Sequence, residues 1–239
     1  MGSAIYGGLK GAHSLTVVEK SEEQKARLKA RFGSVAFVEA QTPVEKDEIV
    51  ILAIKPQVFE KVSLQGEPEG IISIMAGVTL DRIRAHFRAR HFVRVMPNLA
   101  ALNGRSASVL TGDEPLKERA LELVGAIGSA LWLESERELD IATALAGSGP
   151  GYLALIAEAL ANGAVRQGLS NERAHALTAA LFGGMEGLLE QNHPAQLKEM
   201  VCSPGGTTIA GIEVLEKRAV RAAVMEALEA AFKRTQALA

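Results

Sequence analysis

Glu48-Ile49-Val50-Ile51-Leu52-Ala53-Ile54-Lys55-Pro56-Gln57 is the stretch whose reading decides the fold. It is a strongly apolar run that stops at a proline. Such a run reads as a strand buried on both faces, and Pro56 fixes the turn that ends it by forcing Lys55 away from helix. Similar runs stand on either side. Leu15 to Val18 and Val35 to Val38 precede it, and Gly70 to Met75 and His91 to Met96 follow it. Ser21 to Phe32, between the first two runs, is polar with helical spacing. Apolar runs separated by helical stretches predict a parallel sheet covered on both faces, and a doubly wound nucleotide-binding fold is the natural candidate.

After Glu136 the texture changes. From Asp140 onward no strand-like alternation is visible, alanine and leucine dominate, and Gly147-Ser148-Gly149-Pro150, Gly168-Leu169-Ser170, Asn192-His193-Pro194 and Ser203 to Gly206 break the pattern. This reads as a bundle of helices. The expected organisation is a nucleotide-binding domain over residues 1–136 and an all-helical domain over 137–239. Ala157, Ala159, Ala161, Gly163 and Ala164 lie within one helix. They suit the close approach of a partner helix from a second subunit, although high helix propensity alone explains them equally well.

The composition narrows the function. A formal net charge of −2 with no basic segment argues against nucleic acid as a partner. The single cysteine, Cys202, excludes an internal disulfide and any multi-cysteine metal site, so no metal is expected and a reducing cytoplasm fits. The runs Ile49 to Ile54 and Ile71 to Val78 fall well short of the roughly 20 residues that span a bilayer, so no membrane is expected. The glycine-rich start lacks the apolar core of a signal peptide.

Met1 to Leu9 looks like the start of a helix. In a dinucleotide-binding unit a strand and a G-x-G turn come just before such a helix, whose N-terminus meets the pyrophosphate. Gly2, followed by Ser3, reads as the last glycine of that fingerprint, with the strand and first two glycines missing. A flexible end would look the same. Glu19 lies about 17 residues beyond Gly2, roughly where an acidic residue meets an adenosine ribose. It would repel a 2′-phosphate and favour NADH, whereas Lys20 and Ser21 could hold that phosphate.

Three strand ends carry small or rigid residues: Ala53-Ile54-Lys55-Pro56-Gln57, Met75-Ala76-Gly77-Val78 and Arg94-Val95-Met96-Pro97-Asn98. Ligands of open α/β sheets sit at the carboxyl ends of strands, so together these ends form one wall of a cofactor cleft. Taken alone, the first reads more simply as a strand terminator with a solvated lysine. Gly147 to Tyr152 places Pro150 at a helix start, for which capping is an adequate structural reason. Val201-Cys202-Ser203-Pro204-Gly205-Gly206-Thr207-Thr208 precedes a helical run and offers free N–H groups and two threonine hydroxyls, a nest suited to a carboxylate. An ordinary helix-connecting turn is the alternative.

Taken together, these residues resemble the pyrroline-5-carboxylate reductase family. The order Pro194, Leu197, Val201 to Gly206, Thr208, Gly211, Leu215-Glu216 is similar to that family's signature, and Thr143 to Pro150 to its second hallmark. The three strand-end motifs are similar to its nucleotide-domain motifs. Two features depart from the pattern: the first strand with its G-x-G-x-x-G turn is absent, and Leu99-Ala100 stands where the family has Thr-Pro. The resemblance implies a Rossmann-type domain lacking its first strand, followed by an all-α domain that dimerises, with dimers often assembled into rings. It implies reduction of 1-pyrroline-5-carboxylate to L-proline with NADPH or NADH, in the cytoplasm, with the active site between the nicotinamide and the loop Ser203 to Thr208. Gly2, Ser3, Glu19, Lys20, Ala53, Lys55, Pro56, Met75, Ala76, Gly77, Pro97 and Asn98 would bind cofactor. Ser203, Gly205, Gly206, Thr207 and Thr208 would bind substrate, with Thr208 on the ring nitrogen.

A protonated imine is already a strong electrophile, so positioning and electrostatics matter more than acid catalysis. The absence of lysine between Asp140 and Leu197 agrees, and argues against a 3-hydroxyacid dehydrogenase of similar layout, whose alcohol oxidation needs a base. A non-catalytic dimeric scaffold is the expectation if the short start abolishes cofactor binding.

Overall fold

Helix α1 (Gly2–Leu9) is followed by β1 (Thr16–Val17), α2 (Glu22–Phe32), β2 (Ala36–Phe37), β3 (Ile49–Leu52), β4 (Gly70–Ser73), α3 (Leu80–His86), β5 (His91–Met96), β6 (Ser106–Gly112), α4 (Lys117–Gly125) and β7 (Gly128–Trp132). Helix α5 (Glu136–Ala142), a π turn over Thr143–Gly147, and α6 (Gly149–Arg166), α7 (Asn171–Gln191), α8 (Pro194–Met200), α9 (Thr207–Lys217) and α10 (Val220–Gln236) complete the chain. The computed structural model describes residues 1–238.

Local chemistry accounts for the helix ends. Ser21 caps α2 by accepting from the Gln24 N–H at 3.3 Å, with Glu22 and Glu23 in the first turn and Lys29 and Arg31 in the last. Thr79 caps α3 in the same way through the Arg82 N–H.

The strands β3 to β7 form one sheet in sequence order. The pairs β3–β4, β4–β5 and β6–β7 are parallel and β5–β6 is antiparallel. Alternate residues serve opposite faces: Ile72, Val93 and Val95 pack with α1 and α4, while Ile71 and Phe92 pack with Phe59, Leu80, Ile83 and Phe87 around α3. The expected fold class, a Rossmann-type sheet followed by helices, is what the chain adopts. The expectation of a wholly parallel sheet is corrected. β6 and β7 were not read from the sequence, and β6 enters antiparallel because only a short turn, Leu99–Asn103, links it to β5. The expectation that Leu15 to Val18 is buried is also corrected. Among the described residues β1 pairs only with β2, as a separate two-stranded sheet, and Val18 stays 56% exposed.

Helix α1 contacts both sheets' surroundings. The Tyr6 and Phe32 rings stand 5.1 Å apart, and the Lys10 ammonium donates to the Phe32 carbonyl. On its other side a Cβ at Gly8 would lie 2.5 Å from the Ala126 carbonyl oxygen. Gly8→Val is therefore expected to lower stability by about 1–3 kcal/mol through overpacking, read as a drop in melting temperature. An unchanged melt would mean that α1 does not pack there.

Residues Met1–Pro150, with the stretch from Ala230, form one compact unit and Gly151–Glu229 another. The compact units divide 14 residues beyond the boundary expected at 136/137, because α5 and the π turn pack on the sheet. Arg94, buried in β5, holds α5 through Glu136 and through Asp140 at 3.4 Å. The helical run Glu136–Arg166 has the length and apolar composition of a membrane span, which the strand-length runs did not reveal. In the second unit few side chains are buried, Ala161, Ala174 and Leu197 among them, while Leu155, Leu177, Leu181, Val214 and Met225 are each more than half exposed.

Candidate functional site

The parallel strands β3, β4 and β5 end at one edge of the sheet, and α1 begins beside it. A Cβ on Gly2 would stand 3.2 Å from the Ala53 Cβ, which places the helix start against the end of β3. Helix α1 has no side-chain cap, and the Ala4 and Ile5 N–H groups both donate to the Met1 carbonyl, at 2.9 and 3.2 Å. The N–H groups of Gly2 and Ser3 have no acceptor within the helix. An uncapped helix start beside a strand end suits a pyrophosphate.

Beyond Ala53, Lys55 is extended at φ −75° and ψ 141°, and Pro56 opens a 3₁₀ turn, Pro56–Lys61, as its ring geometry favours. Beyond β4, Ala76 is exposed and Gly77 turns at φ +72°, beside the Leu238 carbonyl near the C-terminus. Met75 is corrected: its side chain is 2% exposed in the core around Leu52, Phe59 and Ile71, so only its backbone faces the edge. Beyond β5, Pro97 is buried in an apolar crevice with Ile5, Ile51 and Val95.

Asn98 is buried and its side chain is committed. Its Oδ1 accepts from the Ala100 N–H at 3.1 Å, its Nδ2 donates to the Ala146 carbonyl at 3.0 Å, and its own N–H donates to Ser106 Oγ at 3.0 Å. The Asn98 side chain is therefore engaged within the fold. Glu19 and Lys20 follow β1 of the separate two-stranded sheet. Glu19 accepts from the Ser21 N–H at 2.8 Å, and Lys20 is exposed.

Behind the edge lies an ion cluster of Arg94, Glu136 and Asp140, whose pairing no local sequence pattern announces. Glu136 accepts from Arg94 and from the Leu80 N–H, at 3.0 Å for the latter. Burial pushes the Asp140 carboxyl above its ordinary range; Arg94 pulls it back down and neighbouring Glu136 adds to the rise. The available signal was a lone arginine inside an apolar strand, which demands a partner when buried.

The loop Ser203 to Thr208 lies wholly in the second unit. The Gly206 N–H closes a turn onto the Ser203 carbonyl at 3.0 Å, and Gly205 sits at φ +69°. A Cβ on Gly206 would lie 2.3 Å from Ser203 Oγ, so a larger residue there would force the Ser203 hydroxyl to turn away. Gly206 gives α9 no side-chain cap, and the Ala210 N–H reaches back to it at 3.4 Å. The N–H groups of Thr207, Thr208 and Ile209 have no acceptor within the helix. Ser203, Thr207 and Thr208 hydroxyls have no hydrogen-bond partner among the described residues, and Thr208 is half-buried. The arrangement offers an anion three N–H groups and three hydroxyls. No group of His, Cys, Asp and Glu able to hold a metal occurs among the described residues.

Residues 136–238 match the family model described as pyrroline-5-carboxylate reductase dimerisation, and residues 1–77 match that described as NADP oxidoreductase, coenzyme F420-dependent. The pyrroline-5-carboxylate reductase of a Synechocystis species is 39% identical over 208 residues, covering 83% of this chain and 78% of that protein. The Thermus thermophilus enzyme of that name is 35% identical, covering 97% and 90%. Among solved structures, the 1-pyrroline-5-carboxylate reductase of Streptococcus pyogenes superposes with a TM-score of 0.86 at 32% identity, covering 98% of this chain and 94% of that one. The Plasmodium falciparum pyrroline carboxylate reductase with NADP bound gives 0.81 at 25% identity, covering 100% and 94%.

Proposed function

The chain belongs to the pyrroline-5-carboxylate reductase family, and on that premise we propose that it reduces 1-pyrroline-5-carboxylate to L-proline with NADPH or NADH, the last step of proline biosynthesis. The observation that carries this reading is the uncommitted anion nest at the start of α9, with the Ser203, Thr207 and Thr208 hydroxyls beside three open N–H groups.

The bound dihydronicotinamide supplies a hydride, two electrons and one hydrogen, to the imine carbon. The chain's own residues do the rest. The Thr207 N–H and its neighbours hold the substrate carboxylate, and the Ser203 hydroxyl seconds them. The Thr208 hydroxyl accepts from the iminium N–H, which keeps the ring protonated and electrophilic. As the C=N bond becomes C–N, its electron pair passes to nitrogen, which takes one proton from solvent to become the ammonium of proline. No side-chain acid is needed, in keeping with the lysine-free stretch before Leu197. On the first unit, Gly2 and Ser3 would receive the pyrophosphate, and Ala53, Lys55, Pro56, Ala76, Gly77 and Pro97 would line the wall. Deuterated cofactor is expected to place one deuterium on the ring carbon away from the carboxylate; deuterium found elsewhere, or none, would refute the direct transfer.

Glu19, with Glu22 and Glu23 in the first turn of α2, sets a negative field where an adenosine 2′-phosphate would lie. Glu19→Gln is expected to raise the ratio of kcat/KM for NADPH over NADH by about tenfold, since one unit charge near an exposed phosphate is worth roughly 1–4 kcal/mol. An unchanged ratio places the ribose elsewhere.

The protein self-associates through its helical part, which the dimerisation model matches. We extend this to a homodimer, and to rings of dimers, because the second unit leaves large apolar residues uncovered. Cytoplasmic placement fits the single free cysteine.

A further inference from the structure

We propose that Asn98 is a positioning residue for the reduction, acting by supplying the hydrogen bond that Pro150 denies to the Ala146 carbonyl. The proposal rests on the reading of the chain as a nicotinamide-dependent imine reductase.

In a regular helix the Ala146 carbonyl would accept from the N–H of residue 150. That residue is proline and has none. The helix is already widened at this point: the Ser148 N–H donates to the Thr143 carbonyl, five residues back, at 3.1 Å, and the Thr143 hydroxyl donates to the Leu139 carbonyl at 2.7 Å. Such π turns recur at functional sites. The Asn98 amide donates to this carbonyl at 3.0 Å, across a separation of 48 residues.

Asn98 is itself held. Its N–H donates to Ser106 Oγ, which also receives the Ser108 hydroxyl at 2.8 Å, and its Oδ1 caps the turn Leu99–Asn103. Glu136 and Asp140 anchor the preceding helix α5 to Arg94 of the same strand, β5. The π turn is thereby fixed to the end of β5, at the edge where the cofactor wall lies. A turn that drifts there would misplace the reacting ring without touching the phosphates, and a shift of about 1 Å can cost up to a hundredfold in rate. The expected signature is a fall in kcat with little change in cofactor affinity.

Asn98→Asp separates the two roles of the side chain. It keeps an acceptor for the Ala100 N–H and loses the donor to Ala146. Its kcat at mildly alkaline pH is expected to be about tenfold below wild type, the cost of one buried hydrogen bond of roughly 1.4 kcal/mol, with KM for cofactor within about twofold. As pH falls, the buried acid takes up a proton and regains a donor, so the ratio of variant to wild-type kcat rises. In a Pro150→Ala background, residue 150 supplies the missing N–H, and Asn98→Asp should then cost almost nothing relative to Pro150→Ala alone. If Asn98→Asp does not fold, Asn98→Ser, which can cap Ala100 but cannot reach Ala146, gives the same comparison against Pro150→Ala. A kcat equal to wild type, or a loss independent of pH and untouched by Pro150→Ala, overturns the proposal. Absence of imine turnover in the wild type would instead overturn the underlying reading, and this proposal with it.

Discussion

Thr208→Ala is expected to lower kcat/KM for 1-pyrroline-5-carboxylate by about a hundredfold, the usual cost of removing one polar group aimed at the charge of a transition state. The melting temperature and cofactor affinity should barely move. Thr208 has no hydrogen-bond partner among the described residues and lies in the first turn of α9, so its hydroxyl supports nothing else in the fold. Thr208→Ser should restore most of the activity, because it returns the oxygen without the methyl. Steady-state kinetics with both variants reads the effect. A Thr208→Ala enzyme with unchanged kcat/KM would remove this hydroxyl from the chemistry and leave the backbone N–H groups as the whole of the nest.

The second large effect is on stability. Arg94 is 2% exposed and is shared between Glu136 and Asp140. Arg94→Leu fills the space but leaves two carboxylates facing each other with no cation between them. Breaking a buried pair in this way costs about 3–5 kcal/mol, a drop on the order of 10 °C in melting temperature for a unit of this size. The loss should depend on pH with a definite sign. In the folded wild type, Asp140 titrates above its ordinary 3.8 because burial disfavours its charge. The folded state therefore holds that proton more tightly than the unfolded state, and stability falls as pH rises from the ordinary value through the raised one. Removing Arg94 takes away the group that pulls this carboxyl down, so the window extends upward. Thermal melts of Arg94→Leu should show a smaller deficit at mildly acid than at mildly alkaline pH. A deficit that is flat with pH would mean that the two carboxylates do not carry the penalty.

What was legible in the sequence follows from what was local. Ile49 to Ile54, Gly70 to Met75 and His91 to Met96 declare themselves by unbroken hydrophobicity, and each became a strand or its end. Residues at strand ends could be named because a parallel sheet sends every carboxyl end to one edge. The glycine-rich loop before α9 is legible because Gly206 at the N-cap has no side chain to satisfy the first N–H groups of the helix. Strands β6 and β7 were missed, since Ser106 to Gly112 mixes small and polar residues and derives its strand character from pairing with β5. Met75 was placed on the cofactor wall because its neighbours belong there, yet the pleat turns its side chain into the core. Asn98, after a strand end, reads from sequence as a cofactor-binding residue. Its partner Ala146 lies 48 residues away, and no spacing rule connects an asparagine after one strand to a carbonyl that a later proline leaves without a donor. The Arg94 cluster joins β5 to α5 and was hidden for the same reason.

The central claim is that this chain reduces a cyclic imino acid with a nicotinamide dinucleotide. The most direct test is to incubate the purified full chain with 1-pyrroline-5-carboxylate and NADH or NADPH, following the loss of reduced-nicotinamide absorbance while quantifying proline. The expected result is imine-dependent oxidation with one proline formed per cofactor consumed. Folded protein that oxidises neither cofactor in the presence of the imine, or oxidises it without forming proline, would contradict the account.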